Sequence, residues 1–166
     1  VVFTINANGD QVYFSQGNLQ YQASTGTWRF AEHQYDHILD AVGNTTAASN
    51  RATQSDWIDL FGWGTGNNPT TASGDNGQYN TFNEWGDNAI SNGGNEASSG
   101  WRTMTDAEWT YLFANNRWGF ASISGTSTIY GIVLEPGTSN TININHSSTG
   151  DNNYASVEAF ETAAAA

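Results

Sequence analysis

Through residues 1–30 apolar and polar side chains alternate, which is the period of strands with one face buried. Val1-Val2-Phe3-Thr4-Ile5 is β-branched and apolar, and Val12-Tyr13-Phe14 returns after Asn8-Gly9. Asn-Gly predicts a type I′ hairpin turn there, because both central positions of that turn need positive φ. Leu19 and Tyr21 alternate with Gln20 and Gln22, Ser24-Thr25-Gly26 turns, and Thr27-Trp28-Arg29-Phe30 alternates again. The period then changes. Tyr35, Ile38, Leu39 and Val42 fall at i, i+3, i+4 and i+7, predicting a short helix over residues 31–42. Glu32, Asp36 and Asp40 recur on its other side with no Lys or Arg in the stretch, so this helix depends on tertiary packing.

Residues 43–100 follow neither period. Asn, Gly, Ser and Thr surround one apolar island, Trp57-Ile58-Asp59-Leu60-Phe61-Gly62-Trp63-Gly64. A structureless loop of that length is unusual in a compact domain. The island is therefore expected in the core, with 44–55, 65–81 and 91–100 as surface loops tied to it and Trp85 and Ile90 as a smaller anchor. Thr105-Asp106-Ala107-Glu108 is a capping box that opens a helix within residues 101–116, and Asp106 suits the positive end of the helix dipole. Ala107, Tyr111 and Ala114 form one stripe of it, and Trp109, Leu112 and Phe113 widen the face expected to be buried. Residues 120–124 and 128–134 predict a hairpin across Gly125-Thr126, ended by Pro136-Gly137. Ile142 and Ile144 suggest a further short strand. Residues 154–166 suggest a helix with Tyr154, Val157 and Phe160 on one side. Strand and helix do not alternate regularly, so the expected class is α+β, a small antiparallel sheet with two to three helices and long aromatic-anchored loops.

Composition narrows the function. The 166 residues carry 16 acidic and four basic side chains, a formal net charge of −12, seven Trp and no Cys. Every basic residue is Arg: Arg29, Arg51, Arg102 and Arg117. Four scattered Arg cannot displace the counterions of a nucleic acid, an anionic membrane surface repels this chain, and no apolar run approaches the roughly 20 residues that span a bilayer. Without Cys there is no thiol catalysis, disulfide scaffold or Cys-based zinc site, and without Lys no phosphate-cradling GxxxxGK[ST] loop. The uncharged polar, aromatic-rich surface is that of bacterial secreted and cell-surface proteins, so the expected location is extracellular. No signal peptide is visible, and export would place Val1 after a removed or omitted segment.

Candidate chemistry is sparse. The carboxylate pairs Asp56/Asp59, Asp106/Glu108 and Glu32/Asp36 suit acid–base or glycosidic work in principle. Each has a simpler role: a turn cap, a helix start and a solvated face. His33 and His37 stand one helical turn apart, and His146 is remote from both. The three do not form a recognisable zinc motif. Asp75, Asp87 and Asp151, each followed by Asn, are weak candidate oxygen ligands for a calcium ion, and no other cofactor is expected. Tyr79, Phe82 and Trp85 stand among Asn80, Asn83, Asp87 and Asn88, where ring faces could stack on sugar C–H faces while amides bind hydroxyls. Trp28, Trp57, Phe61, Trp63, Trp101 and Trp109 are assigned to the core.

Three segments carry a family resemblance: Val12-Tyr13-Phe14-Ser15-Gln16-Gly17-Asn18-Leu19-Gln20-Tyr21 with Thr27-Trp28-Arg29-Phe30-Ala31-Glu32; the Trp57–Gly64 island; and Ser99-Gly100-Trp101-Arg102-Thr103-Met104-Thr105-Asp106-Ala107-Glu108-Trp109-Thr110-Tyr111-Leu112. Together they resemble the large paralogous set of bacterial surface domains found in gut and rumen anaerobes. Those domains are similar in turn to the formylglycine-generating branch of the C-type lectin fold. The resemblance covers roughly residues 11–135 and is strongest in the Gly-Trp-Arg-Thr-x-Thr-x-x-Glu-Trp run. It implies a C-type-lectin-like domain over residues 1–162, its long loops carrying binding diversity, with the Ala run at 163–166 set apart as a tail whose origin the sequence leaves open. It does not carry over the sulfatase-modifying activity, whose catalytic cysteines are absent. It does not carry over calcium-dependent sugar binding either, since Glu135-Pro136-Gly137 only echoes that motif and Trp-Asn-Asp is missing. The family's closing strands have no counterpart before Ala166. The expected function is non-enzymatic recognition or adhesion, binding glycan or a surface protein. The alternatives are a subunit of a surface filament completed by a neighbouring chain (a homo-oligomer) and a glycan-acting hydrolase.

Overall fold

A computed structural model describes residues 1–38, 44, 53, 55–71, 81–94, 96–97, 100–123, 129–137, 152–154 and 159. In chain order its elements are β1 (Phe3–Thr4), β2 (Gln11–Val12), β3 (Leu19–Gln22), β4 (Thr27–Phe30), β5 (Trp57–Ile58), a 3-10 turn (Trp85–Asp87), α1 (Asp106–Asn115), β6 (Arg117–Ile123), β7 (Ile129–Glu135) and β8 (Asn152–Tyr154). The class is α+β, built from small, mainly antiparallel sheets and a helix. The chain gathers into two compact units, Val1–Phe14 with Met104–Ala166, and Ser15–Thr103.

In the first unit β1 and β2 form a hairpin, Phe3 opposite Val12 and Thr4 opposite Gln11. Its turn is wider than the two-residue type I′ form. Gly9 N–H donates to Asn6 O at 3.2 Å, Ile5 N–H to Asp10 O at 2.9 Å, and Gly9 sits at the exit with φ +85°. Asn6 draws the turn open, because its side-chain oxygen accepts from the N–H groups of Asn8 and Asp10 at 3.0 and 3.1 Å. The capping box of α1 forms as its sequence predicts: Thr105 Oγ1 accepts from Glu108 N–H at 3.3 Å, and Glu108 Oε2 from Thr105 N–H at 2.8 Å. The buried face of α1 is narrower than expected. Leu112 alone is fully buried, packed with Phe3 and Ile5, while Ala107 and Ala114 are exposed and Trp109 is 38% exposed. Trp109 is held sideways by ring contacts to Phe14 and Phe113 at 5.7 and 5.8 Å, which corrects its assignment to the core.

The hairpin expected across 120–134 is present and longer, β6 and β7 pairing antiparallel from Arg117–Glu135 to Ile123–Ile129. β8 adds to β6 in parallel, so this sheet is mixed and Tyr154 is in a strand rather than at a helix start. Ala159 is helical. The remainder of the helix expected over 154–166, and the strand expected at Ile142 and Ile144, lie outside the described residues.

In the second unit β3 pairs with β4, Tyr21 opposite Trp28, and with β5, Tyr21 opposite Ile58. Trp28, Phe30 and Ile90 form the core, joined by Leu19, Tyr21, Phe61, Trp85 and Trp101. A parallel bridge from Trp28 to Ile90, with Ser91 N–H donating to Trp28 O at 2.9 Å, lays residues 90–92 along the outer edge of β4. Residues 31–38 form bends and turns where the first part of the helix over 31–42 was expected, and residues 39–42 lie outside the described residues. The backbone groups a helix would use are taken by side chains. Asp36 accepts from His33 N–H at 2.9 Å, Asn18 donates to Asp36 O at 2.7 Å, and Ile38 N–H goes to Asp59 at 2.7 Å. Acidic residues with no basic neighbours leave the helix too weak to compete.

Two stability effects follow. A Cβ at Gly86 would lie 1.7 Å from Trp101 O, so Gly86→Ala is expected to destabilise by about 3 kcal/mol in urea unfolding. Thr105→Ala, which removes one half of the capping box, is expected to cost about 1 kcal/mol, with Thr105→Ser restoring most of it.

Candidate functional site

The Trp57–Gly64 island divides by strand alternation. Ile58 is fully buried on the same side as Tyr21 and Trp28. Trp57 therefore faces the other side of the sheet, half-buried beneath Arg29, rather than entering the core. Beyond β5, Phe61 turns back onto Trp28 at 5.4 Å and is core as expected. Trp63 does not follow it. It is 49% exposed and stands against Phe82 and Trp85 with ring centres 5.1 and 5.9 Å away, while Phe82 and Trp85 lie 5.8 Å apart. Three rings thus touch one another, two of them open to solvent, Phe82 being 45% exposed. The assignment of Trp63 to the core is corrected. Its ring satisfies its hydrophobic demand on two neighbours at the surface instead of inside.

Backbone pairing fixes this cluster. Asn83 N–H donates to Gly64 O at 2.9 Å and Gly66 N–H to Asn83 O at 3.0 Å, forming a parallel bridge between Thr65 and Asn83. Thr65 is fully buried and its hydroxyl donates to Gly62 O at 2.7 Å. Asn88 Nδ2 donates to Gly66 O at 2.9 Å and Trp85 O at 3.1 Å, and Asn83 Nδ2 makes longer bonds to Gly64 O and Thr81 O, both 3.4 Å. The amide N–H groups of these two candidates therefore brace the loop itself. Their side-chain oxygens remain as acceptors. Glu84 closes the arrangement, its carboxylate accepting from Thr103 N–H and Thr103 Oγ1–H, each at 2.9 Å, and from Gly86 N–H at 3.4 Å. Trp85 packs onto the Trp28 cluster from below, and its buried indole N–H makes no hydrogen bond among the described residues.

Among the sequence candidates, the structure brings Phe82, Asn83, Trp85 and Asn88 together, with Asp87 exposed beside them on the 3-10 turn. Tyr79 and Asn80 lie outside the described residues, as do Asp75 and Asp151. Among the described residues no group of three or more His, Asp or Glu is placed to hold a metal ion. His33 Nδ1 is 3.2 Å from Asp36, and its ring stacks on Tyr35 at 4.9 Å. His37 Nδ1 is 3.2 Å from Tyr35 O, so the two imidazoles do not share a helical face. Asp59 is structural: it accepts from Ile38 N–H and from Asn44 Nδ2 at 2.9 Å, and Asn44 is 2% exposed. Trp63 was missed by the sequence reading, and the only signal that could have found it is its position between two glycines, where the chain has no neighbouring side chains to bury it.

Compared with protein-family models, with curated proteins and with solved structures, the chain matches none. Among the described residues no helix is long and apolar enough to cross a membrane.

Burial separates the indoles by energetic role. Trp28→Ala, at 4% exposed, is expected to lose about 3–5 kcal/mol of stability. Trp63→Ala is expected to lose roughly half as much, because about half of its surface already meets solvent. Equilibrium unfolding of the two variants side by side measures the difference.

Proposed function

We propose that this chain is a non-enzymatic extracellular recognition module with a C-type-lectin-like fold, and that it binds glycan on the Trp63–Phe82–Trp85 platform. The observation that carries the reading is the platform itself: two aromatic rings left about half open on a braced loop, backed by a third that anchors them to the core. Ring faces of this kind pack against the apolar C–H faces of pyranoses, and the nearby Asn83 and Asn88 oxygens and the Asp87 carboxylate accept from hydroxyls. Because the loop is held by backbone and Glu84 hydrogen bonds, little ordering entropy opposes binding. A glycan array followed by titration tests it. Trp63→Ala and Phe82→Ala are each expected to weaken binding by about tenfold or more with the circular dichroism spectrum unchanged. An intact, folded chain that retains no glycan overturns the proposal.

A second reading, a subunit of a surface filament, is favoured by β7. Among the described residues this seven-residue strand, Ile-Tyr-Gly-Ile-Val-Leu-Glu, is paired along one side only, by β6. It carries no Pro or Lys, and Tyr130 and Ile132 are 71% and 55% exposed. Such an edge is a template for a strand from a second copy of the chain. Light scattering over a concentration series is expected to show assembly that Ile132→Lys abolishes, and a monomer at every concentration rejects this reading.

A further inference from the structure

On the face of the β4–β3–β5 sheet away from Trp28 and Phe30, Arg29 is held in a fixed pose. Its Nε donates to Gln20 Oε1 at 2.8 Å, and Gln20 is only 5% exposed. Its guanidinium carbon lies 3.7 Å from the centre of the Trp57 ring. The bond and the ring contact use Nε and one face of the guanidinium, and leave the two terminal NH2 groups without an anionic partner. Among the described residues no carboxylate lies within 4.0 Å of it. Burial lowers the Arg29 pKa from the ordinary arginine value. In a chain of net charge −12, a partly buried cation with no carboxylate within 4.0 Å among the described residues is conspicuous.

Arg29 lines a cleft of about 540 Å³ together with Gln16, Gln20, Glu32, Asp36 and His37, a volume suited to one or two sugar rings. We propose that this cleft binds a hexuronate, the acidic sugar unit of a glycan chain, with the sugar carboxylate on the terminal NH2 groups of Arg29. A guanidinium already fixed through Nε presents its remaining donors in the planar fork that matches a carboxylate, at little further entropic cost. The other lining groups select for the rest of the ligand. Glu32 and Asp36 accept from hydroxyls and disfavour a doubly charged group such as a phosphate monoester. A neutral sugar would leave the terminal NH2 groups of Arg29 without a charge-assisted partner. The site is distinct from the aromatic platform, because none of Trp63, Phe82 and Trp85 lines the cleft.

The test is a set of titrations of the full chain, followed by calorimetry and amide NMR shifts, with D-galacturonate, its uncharged methyl ester, acetate and glycine. Galacturonate is expected to bind in the millimolar range and the methyl ester at least about tenfold more weakly. Arg29→Gln is expected to abolish galacturonate binding, Arg29→Lys to weaken it, and Trp63→Ala to leave it unchanged. If Arg29→Gln fails to fold, the acid-to-ester ratio on the unaltered chain and the Arg29→Lys variant carry the decision. Absence of galacturonate binding, or equal binding of acid and ester, overturns the proposal. So does acetate binding as tightly as galacturonate, which would leave an anion hole without sugar recognition, or glycine binding more tightly, which would make the site one for zwitterions.

Discussion

Burying the Trp28 indole is the constraint on which the second unit depends. One strand pair cannot cover a ring of that size, so the chain brings cover from far along the sequence. Phe61 and Tyr21 close on it at 5.4 and 4.7 Å, and residues 90–92 bond along the edge of β4. Phe30, two residues on, is covered by Trp101 at 4.8 Å, and its backbone N–H and C=O are both taken by the Asn92 side chain. Each covering segment is otherwise polar and low in intrinsic structure. Its conformation is set by what it must reach, as expected when tertiary burial outweighs local propensity.

The platform is a consequence of that demand. For Ile90 to lie against Trp28, residues 81–88 must pass the end of the island, and the parallel bridge between Thr65 and Asn83 is where they meet. Glu84 and Gly86 then hold the 3-10 turn against Trp101 and Thr103, where Gly86 leaves no space for a side chain. Trp85 faces inward, and Trp63 and Phe82 meet it edge to face with one side left open. The same sheet has an apolar face occupied by Trp28, Phe30 and Ile58, and a polar one on which Arg29, Gln20 and Trp57 meet. Alternation along three short strands thus supplies both a core and a cation-bearing cleft.

The first unit solves a similar problem with fewer buried residues. Leu112 is fully buried against Phe3 and Ile5, and a chain of ring contacts runs on from Phe14 through Trp109, Phe113 and Trp118 to Phe120, each step 5.7 to 6.0 Å. Aromatic rings that are only partly buried still gain from one another, so a low-aliphatic composition can stabilise a helix and a hairpin without a large interior.

The sequence by itself determined whatever is decided within a few residues. The alternation of 19–22 and 27–30, the capping box at Thr105 and Glu108 and the hairpin across 120–134 were legible, because periodicity and caps act over one or two turns of chain. The pairing of Trp28 with Ile90, the open position of Trp63, the narrow buried face of α1 and the turns in place of a helix at 31–38 were decided by tertiary structure. Asn18 and Asp59 compete for the backbone of 36–38 from far away in the chain, and hydropathy says that an indole will seek contact but not whether it finds it inside or at the surface. The Arg29 cleft was hidden for the same reason: a cation is unremarkable in a sequence until folding shows which charges have been kept away from it.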